Sequence, residues 1–265
     1  MRLYWELARR GYRRYAAYPA ATVAGLFTNV FFGFLLAYIL LAVYEETNQI
    51  GGYDVRDAIA YVWVSQGLFS VVAIFGPSWF ELALRVRSGD VATDLQRPLD
   101  LQHAAFAQDA GRAWYQLVYR AVPQFLLGAL LFEITVPGAV ATWLLVAVSV
   151  ALAIVVSFGI RFLLNLCSFW LLDHRGPTLL ALGVTALLSG MTIPLAFYPE
   201  PLDTVARLLP FASIVQLPVD VYVDEPLGGS IALVLAVQAF WAAALYATGR
   251  LVLVAGMRKL VVQGG

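Results

Sequence analysis

The sequence has 265 residues, of which 61% are hydrophobic and only 13% are charged. A soluble domain carries about 25% charged residues, so this composition excludes an ordinary soluble globular protein. The formal net charge is zero, which excludes the global basic field typical of proteins that bind nucleic acid. Apolar runs of about 20 residues can cross a membrane as helices, whereas the alternating segments of a membrane β-barrel are missing. We therefore predict an all-α integral membrane protein.

Residues 1–18 predict a basic amphipathic helix that lies in the plane of the membrane interface. Its apolar face consists of Leu3, Tyr4, Leu7, Ala8, Tyr12 and Tyr15. Its other face carries Arg2, Arg9, Arg10, Arg13 and Arg14. Such a helix binds anionic lipid, and its charge places the N-terminus in the cytoplasm. The alternative is a positive flank that only orients the first span, and both uses can coexist.

Six apolar stretches predict six transmembrane helices, which form a bundle over residues 19–257. The spans cover about 19–44, 58–82, 121–136, 141–172, 178–197 and 230–257. Gly76 and Pro77 predict a bend in span 2. Span 1 carries small or polar residues four apart, including Gly25, Asn29 and Gly33. This stripe predicts a packing surface, either within the bundle or against a second subunit.

The basic residues support one topology. Most arginines fall in segments predicted to be cytoplasmic, and the outer segments contain only Arg56 and Arg207. Because cytoplasmic loops are enriched in Lys and Arg, we predict six spans with both termini in the cytoplasm. Residues 258–265 then form a cytoplasmic tail, and the protein is a multi-pass component of the inner (plasma) membrane of the cell.

The longest polar interruption runs from Leu84 to Asp109. Gly89 and Pro98 punctuate it, and the residues between them have a helix-compatible composition. We interpret this stretch as a cytoplasmic loop that carries a short helix and docks a soluble partner. A plain solvated connector is the alternative.

Signals for catalysis are poor. Neither of the two histidines, His103 and His174, has metal-ligand neighbours at the usual spacing, and no nucleophile elbow or acidic metal cluster occurs. The only lysine is Lys259, which excludes a phosphate-binding Walker loop in this sequence. Cys167 lies in an apolar run and is interpreted as a packing residue. We predict a chain that is not an enzyme and that holds no metal or cofactor of its own.

Arg161 is an exception among the residues of the predicted spans. It lies about twelve residues before the cytoplasmic end of span 4, hence roughly 18 Å deep. A guanidinium near the membrane midplane is costly, so it should face a cavity or a carboxylate. Glu133 and Asn165 are candidate partners. The alternative is a tilted helix in which Arg161 reaches the cytoplasmic interface with its long side chain.

The outer segment after span 5 is rich in proline and too broken to span the membrane. Its breaks are Pro194, Pro199, Pro201, Pro210 and Pro218. One piece has an apolar face of Leu202, Val205, Ala206, Leu208 and Leu209. Asp203 and Arg207 are expected on the opposite face. We predict short re-entrant helices that dip into the outer membrane half, where loose backbone must be buried in protein or line a cavity.

In this order, the features resemble those of ABC-2 type transporter permeases. The inner loop contains an R-x-G motif and an L-x-R-P-L run between Arg87 and Leu99, and the outer segment reads S-G-x-x-x-P-L-x-x-x-P from Ser189. The resemblance covers essentially the whole chain, 1–265, and implies one ABC-2 type transmembrane domain. It also implies two ATPase subunits, which bind ATP and Mg²⁺, and a second permease chain. That chain is a different subunit in a heterodimer or a copy of this one, and membrane lipid surrounds the assembly.

The resemblance assigns roles to two segments. The inner loop would be the coupling helix to the ATPase, formed by Arg87, Gly89, Asp90, Val91, Asp94, Leu95, Arg97 and Pro98. The outer segment would be the gate, with Gly190, Pro194, Pro199, Pro201 and Pro210 at its turns. Members mostly export amphiphilic drugs, lipids or glycans by alternating access. Arg161 matches no family motif.

An ion-coupled secondary transporter is the main rival function. It would need carboxylates near the membrane midplane, and the interiors of spans 1, 2, 5 and 6 contain none. It should also show internal repeats, which the sequence lacks. An integral membrane enzyme acting on lipids would need a catalytic cluster at one interface. A non-transporting membrane scaffold is a third alternative.

Overall fold

The computed structural model describes residues 2–72, 80–91, 99–171, 175–224 and 227–259, and within these ranges the chain forms helices and no β-strand. We number the α-helices of this part in chain order. They are α1 (Arg2–Ala16), α2 (Pro19–Tyr44), α3 (Val55–Val71), α4 (Glu81–Ser88), α5 (Leu101–Gln116), α6 (Val122–Leu131), α7 (Val140–Leu166), α8 (Arg175–Leu188), α9 (Glu200–Leu208), α10 (Gln216–Val223) and α11 (Ile231–Met257). A π-helical turn, Leu117–Ala121, joins α5 to α6. Short 3₁₀ turns occupy Cys167–Phe169, Leu195–Phe197, Ala212–Ile214 and Leu227–Gly229.

Three of these helices are long and apolar enough to cross a membrane: α2, α7 with its following 3₁₀ turn, and α11. They coincide with predicted spans 1, 4 and 6. A shorter apolar helix, Gly176–Leu188, lies where span 5 was predicted. The predicted bend at Gly76 and Pro77 lies outside the described residues. The six-span arrangement as a whole therefore stays a prediction.

The helix α5 begins much earlier than the sequence analysis placed it. Residues 101–109 were assigned to a cytoplasmic loop and span 3 was started at about residue 121, but the structure is helical from Leu101 to Leu131. Asp100 caps the start, because its Oδ1 accepts a hydrogen bond from the backbone N–H of His103 at 2.9 Å. Gln102 and Asp109 of this stretch are buried, and hydropathy alone cannot distinguish such residues from solvated ones.

The helix α1 packs across α5 rather than resting on lipid alone. A β-carbon on Gly11 would overlap the backbone oxygen of Gln108, and one on Gly111 would overlap the backbone oxygen of Ala8. Tyr12 stacks edge-on against Tyr115 with a ring separation of 5.3 Å. Most of the face predicted to meet lipid is therefore covered by protein. Leu3, which was assigned to that face, is exposed.

The small-residue stripe of α2 packs within the chain. Asn29 Nδ2 donates to Ser70 Oγ at 3.0 Å, and a β-carbon on Gly33 would lie 3.2 Å from the ring of Trp63. A β-carbon on Gly25 would meet the guanidinium of Arg120. These contacts are helix packing inside the bundle, one of the two predicted uses of the stripe; the other was packing against a second subunit.

The bundle core lies where α3, α7, α10 and α11 meet. Tyr61, Val156, Val219 and Ala242, one from each helix, belong to the same buried cluster. The helices α7 and α11 approach closely at Gly159, where a β-carbon would lie 2.7 Å from Leu245 Cβ. Close approach over small residues is how helices associate in lipid.

At the end of the bundle opposite α1, α9 turns its charged side inward. The sequence analysis placed Arg207 opposite an apolar face. In the structure Arg207 is buried, whereas Leu202, Val205 and Leu208 of that face are exposed. This reverses the pattern of a helix on a water-soluble core. It fits a membrane environment, where apolar side chains face the lipid and charges are paired inside the protein.

Candidate functional site

Two buried ionic clusters organise the ends of the bundle. The arginine-rich cluster consists of Asp109 on α5, Arg112 on α5 and Arg161 on α7. The aspartate-rich cluster consists of Arg207, Asp203 and Asp220 from α9 and α10. Each contains one residue that bridges two residues of opposite charge.

In the arginine-rich cluster, Asp109 is held from two sides. The Arg161 guanidinium donates to both carboxylate oxygens, at 3.0 Å to Oδ1 and 2.7 Å to Oδ2. The Nε of Arg112 donates to Oδ1 at 2.7 Å. All three side chains are at most 8% exposed. A two-pronged arginine–carboxylate pair fixes both distance and orientation, so the cluster ties α5 rigidly to α7.

Arg112 also satisfies the end of α3. Its Nη1 donates to the backbone oxygen of Ser70 at 3.0 Å, and its Nη2 donates to that of Val71 at 2.8 Å. The last carbonyls of a helix lack partners within the helix and favour a nearby positive charge. The cluster therefore joins three helices, α3, α5 and α7.

The predicted partners of Arg161 were partly wrong. Glu133 pairs instead with Arg56, at 2.8 Å. Asn165 does lie nearby, but it donates to the backbone oxygen of Arg161 at 2.7 Å rather than to its side chain. The carboxylate partner is Asp109, which the sequence analysis had placed in a loop. Reading 101–116 as one helix would have put Asp109 and Arg112 on the same face, three residues apart.

A cavity of about 400 Å³ lies against this cluster, bounded by α1, α4, α5 and α7. We call it the charged cavity. Its described lining includes five arginines and two carboxylates: Arg10, Arg14, Arg85, Arg112, Arg161, Glu81 and Asp109. The remaining wall is largely apolar, with Leu82, Phe158 and Phe162 among its residues. In the structure, Arg161 lines a cavity and is paired with a carboxylate.

The helix α4 connects this cavity to the predicted coupling segment. Its first residue, Glu81, pairs with Arg14 of α1 at 2.6 Å, and the backbone N–H of Ala83 donates to Asn165 Oδ1 at 2.9 Å. The helix ends at Gly89, whose φ of 82° requires the left-handed conformation that glycine favours. Contacts with α1 and α7 therefore position the chain that follows.

Only part of the predicted coupling helix is described. Arg87, Gly89 and Asp90 are exposed, whereas Val91 is fully buried within the chain. Asp94, Leu95, Arg97 and Pro98 lie outside the described residues. The exposed tip leaves room for a partner, and Val91 is not available to contact one.

The aspartate-rich cluster lies under the predicted outer gate. Arg207 Nε donates to Asp203 Oδ1 at 2.6 Å, and its Nη1 donates to Asp220 Oδ2. The other oxygen of Asp220 accepts from Tyr53 Oη at 2.8 Å and from Gln216 Nε2 at 2.7 Å. These contacts join α9 and α10 to the turn that precedes α3.

The gate turns are fixed by the same network. Gly190 has a φ of 75°, and its backbone oxygen accepts a hydrogen bond from Tyr61 Oη. Pro194 precedes Leu195, whose backbone N–H donates to Gln216 Oε1 at 2.8 Å. Pro199 immediately precedes α9 and Pro201 lies in its first turn. Of the five gate residues, Gly190, Pro194 and Pro210 are buried, while Pro199 and Pro201 are exposed.

The described residues contain no group of three or more metal-binding side chains close enough to hold an ion. Neither ionic cluster is arranged for catalysis on a substrate, because each carboxylate is held by arginine. The geometry instead offers a charge-lined cavity, a positioned loop and a set of short, linked outer helices.

Comparison with known proteins assigns the chain to a family. A search of curated proteins found no match to the chain. A family profile described as ABC-2 family transporter protein matches residues 28–264, which is most of the chain. Members are multi-pass membrane permeases, the transport components of ABC transporters rather than enzymes, and they normally work with ABC ATPase subunits. The chain belongs to the ABC-2 family of transporter proteins.

Proposed function

We propose that the chain is the permease subunit of an exporter that moves an amphiphilic compound of the drug, lipid or glycan class. Transport would proceed by alternating access and would be powered by two copies of a separate ATPase, which bind ATP and Mg²⁺. A second permease chain, a different one or a copy of this one, would complete the assembly. The observation that carries this proposal is the family match over residues 28–264.

The structure supports this proposal at two places. The charged cavity combines apolar walls with arginines, which suits a compound that has both polar and apolar parts. The exposed tip at Arg87, Gly89 and Asp90 suits contact with a soluble subunit. The alternative function, an ion-coupled transporter, would need a buried carboxylate, and Asp109 is one that the sequence analysis had not recognised. That carboxylate is held by two arginines, as a structural pair would be.

The proposed topology has six spans in the inner membrane, with both termini in the cytoplasm. A cysteine introduced at Asn48, which is exposed, should react with an impermeant thiol reagent added outside intact cells. A cysteine at the exposed Ser88 should not react. Both variants carry Cys167→Ala, which removes the only native thiol. Labelling at Ser88 in sealed cells would contradict the orientation.

ATPase coupling is tested at Leu95, which the sequence predicts to be the apolar anchor of the coupling helix. Burying a leucine stabilises a contact by about 1.5–3 kcal/mol, so Leu95→Asp should reduce co-purification of the ATPase about tenfold or more. The matched control is Arg87→Gln, since an exposed ionic contact contributes only about 0–1 kcal/mol. The subunit to co-express is the partner ABC ATPase of this permease. Normal retention and ATP hydrolysis in Leu95→Asp would rule out docking at this loop.

A further inference from the structure

The arginine-rich cluster contains one more positive charge than negative. Asp109 is shared by Arg112 and Arg161, and all three side chains are at most 8% exposed. The other described partners of the two guanidiniums are uncharged: the backbone oxygens of Ser70 and Val71 and the hydroxyl of Ser157. An uncompensated buried charge is strongly unfavourable. The cluster therefore favours a second anion close by.

The charged cavity lies where that anion would have to be. Asp109, Arg112 and Arg161 all line it. Its volume of about 400 Å³ lies in the range of small-molecule sites, about 300–1,000 Å³. Apart from Arg85, its described lining carries four arginines against two carboxylates. This excess of positive charge attracts an anion and repels a cation.

The helix α1 adds a further arginine at the edge of the cavity. Arg14 is paired with Glu81 at 2.6 Å. Arg10 also lines the cavity, is exposed, and has no ion pair or hydrogen bond to any described residue. Its guanidinium is therefore available to a ligand. Arg13, on the same helix, is exposed but does not belong to the described lining.

The apolar part of the wall distinguishes one kind of anion from another. Leu82, Phe158 and Phe162 line the cavity beside the arginines. A small inorganic anion would gain nothing from these side chains, whereas an acyl or other apolar body would be removed from water by them. The wall chemistry thus matches an anionic headgroup attached to an apolar body.

We propose that the charged cavity binds the anionic headgroup of an amphiphile, of the phosphate type. Its charge would lie near Arg161 and Arg10, and its apolar part would lie against the phenylalanines. Free phosphate shares the headgroup chemistry and is the alternative source. The inference rests on the proposed function, which uses the same cavity, and deepens it by naming the headgroup chemistry. Binding itself requires neither ATP hydrolysis nor transport. Its test therefore stays informative even if the chain proves not to be an exporter.

The test is native mass spectrometry of the purified full chain in neutral detergent. The probes are phosphatidylglycerol and phosphatidylcholine with identical acyl chains, so that only the headgroup charge differs. We expect the wild-type protein to retain phosphatidylglycerol roughly tenfold more tightly. Arg161→Met should abolish most of this preference. The variant leaves Asp109 and Arg112 as a neutral pair, so the cluster keeps its connection to α3.

A second pair of variants covers the case in which Arg161→Met fails to fold. Arg10→Gln should weaken the retention of phosphatidylglycerol severalfold, whereas Arg13→Gln, of equal charge on the same helix, should not. Equal retention of the two lipids by the wild-type protein, or equal effects of Arg10→Gln and Arg13→Gln, would overturn the proposal. Either result would mean that the lipid binds without using the cavity.

The two sources of the anion are distinguished by filling the apolar part of the cavity. Ala105 lines the cavity, and Ala105→Trp should exclude an acyl chain while leaving every arginine in place. Loss of phosphatidylglycerol in Ala105→Trp supports the amphiphile. If inorganic phosphate displaces phosphatidylglycerol from the wild-type protein and phosphatidylglycerol still binds Ala105→Trp, the apolar wall is not used. That result would overturn the amphiphile and assign the site to a soluble anion.

Discussion

The two ionic clusters are opposite in composition. In the arginine-rich cluster a single carboxylate, Asp109, lies between two arginines, whereas in the aspartate-rich cluster Arg207 lies between two carboxylates. The first lines a cavity with an excess of arginine. The second holds short outer helices together through Tyr53 and Gln216. One end of the bundle is thus suited to receive an anion, and the other end is suited to keep its own segments in place.

The comparison separates two uses of buried charge. The outer cluster also carries one unmatched charge, a carboxylate, but that charge is met within the protein by hydrogen bonds to Asp220 from a tyrosine and a glutamine. Charge that serves a ligand is left unbalanced until the ligand arrives. The difference should therefore be visible in how each cluster responds to loss of its carboxylate.

The largest expected effect is that of Asp109→Asn. It leaves Arg112 and Arg161 buried with no carboxylate partner among the described residues, and breaking a buried ion pair costs about 3–5 kcal/mol. Asp220→Asn leaves Arg207 paired with Asp203 at 2.6 Å, so it should cost less, about 1.5–3 kcal/mol for a lost charged hydrogen bond. Denaturation in mixed micelles measures both. Equal losses of stability in the two variants would mean that the two clusters depend on their carboxylates to the same extent.

Next in size is the crossing of α1 and α5, which encloses the charged cavity. Gly111→Ala would place a methyl group onto the backbone oxygen of Ala8, and such overpacking costs about 1–3 kcal/mol. The matched control is Gly183→Ala in α8, where a β-carbon meets nothing within 4 Å. Proteolysis within residues 2–16 should accelerate only in Gly111→Ala. If α1 stays protected in that variant, the helices do not approach as closely as described.

A similar pair of variants tests the outer end. Gly190 and Gly229 both have a positive φ, of 75° and 69°, so alanine strains the backbone by about 1–2 kcal/mol at either position. Only at Gly190 would the new methyl group also meet Gln216 and Tyr61. Gly190→Ala should therefore destabilise the protein more and reduce transport, whereas Gly229→Ala should retain transport. Equal transport by the two variants would argue that the turn at Gly190 has no role in gating.

The smallest effect concerns Asp100, which pairs with His103 at 2.9 Å and also with Arg250 of α11. Partial burial opposes the shift, but the hydrogen bonds from His103 and the charge of Arg250 lower the pKa of Asp100. Its stabilisation is therefore complete above the unfolded pKa, about 3.9, and is lost as the pH falls through the folded value. Asp100→Asn keeps a good helix cap and should cost under about 1 kcal/mol. The cost should disappear in acid, and a pH-independent cost would exclude a charge effect.

The sequence predicted the apolar helices well because lipid contact is visible in composition. The predicted span 1 and α2 share the bounds Pro19 and Tyr44, and α7 and α11 agree within a few residues at their starts. Proline at the first position starts α2, and two glutamates follow its end. For a helix that is surrounded mainly by lipid, hydropathy is therefore sufficient to predict its bounds.

The sequence failed where burial is provided by protein rather than lipid. The helix α5 carries Gln102, Asp109 and Arg112, all buried, yet its composition matches a solvated loop. The partner of Arg161 was missed for that reason. On α9 the sequence separated an apolar face from Asp203 and Arg207, but it did not specify which of the two faces turns inward. A pattern specifies which residues share a face, and the identity of the surrounding medium decides which face turns inward.

The π-helical turn at Leu117–Ala121 limits which sequence changes this part of the chain can tolerate. One additional residue in a helical rod rotates everything beyond it by about 100°. This rotation sets Gly111, which contacts α1, relative to Gly128, where a β-carbon would collide with Trp63 of α3. Deleting one residue from this turn would move Gly128 out of phase with Trp63 while leaving every other residue unchanged. Insertions and deletions in this turn should therefore be tolerated much less than substitutions, because they alone change the spacing from Gly111 to Gly128.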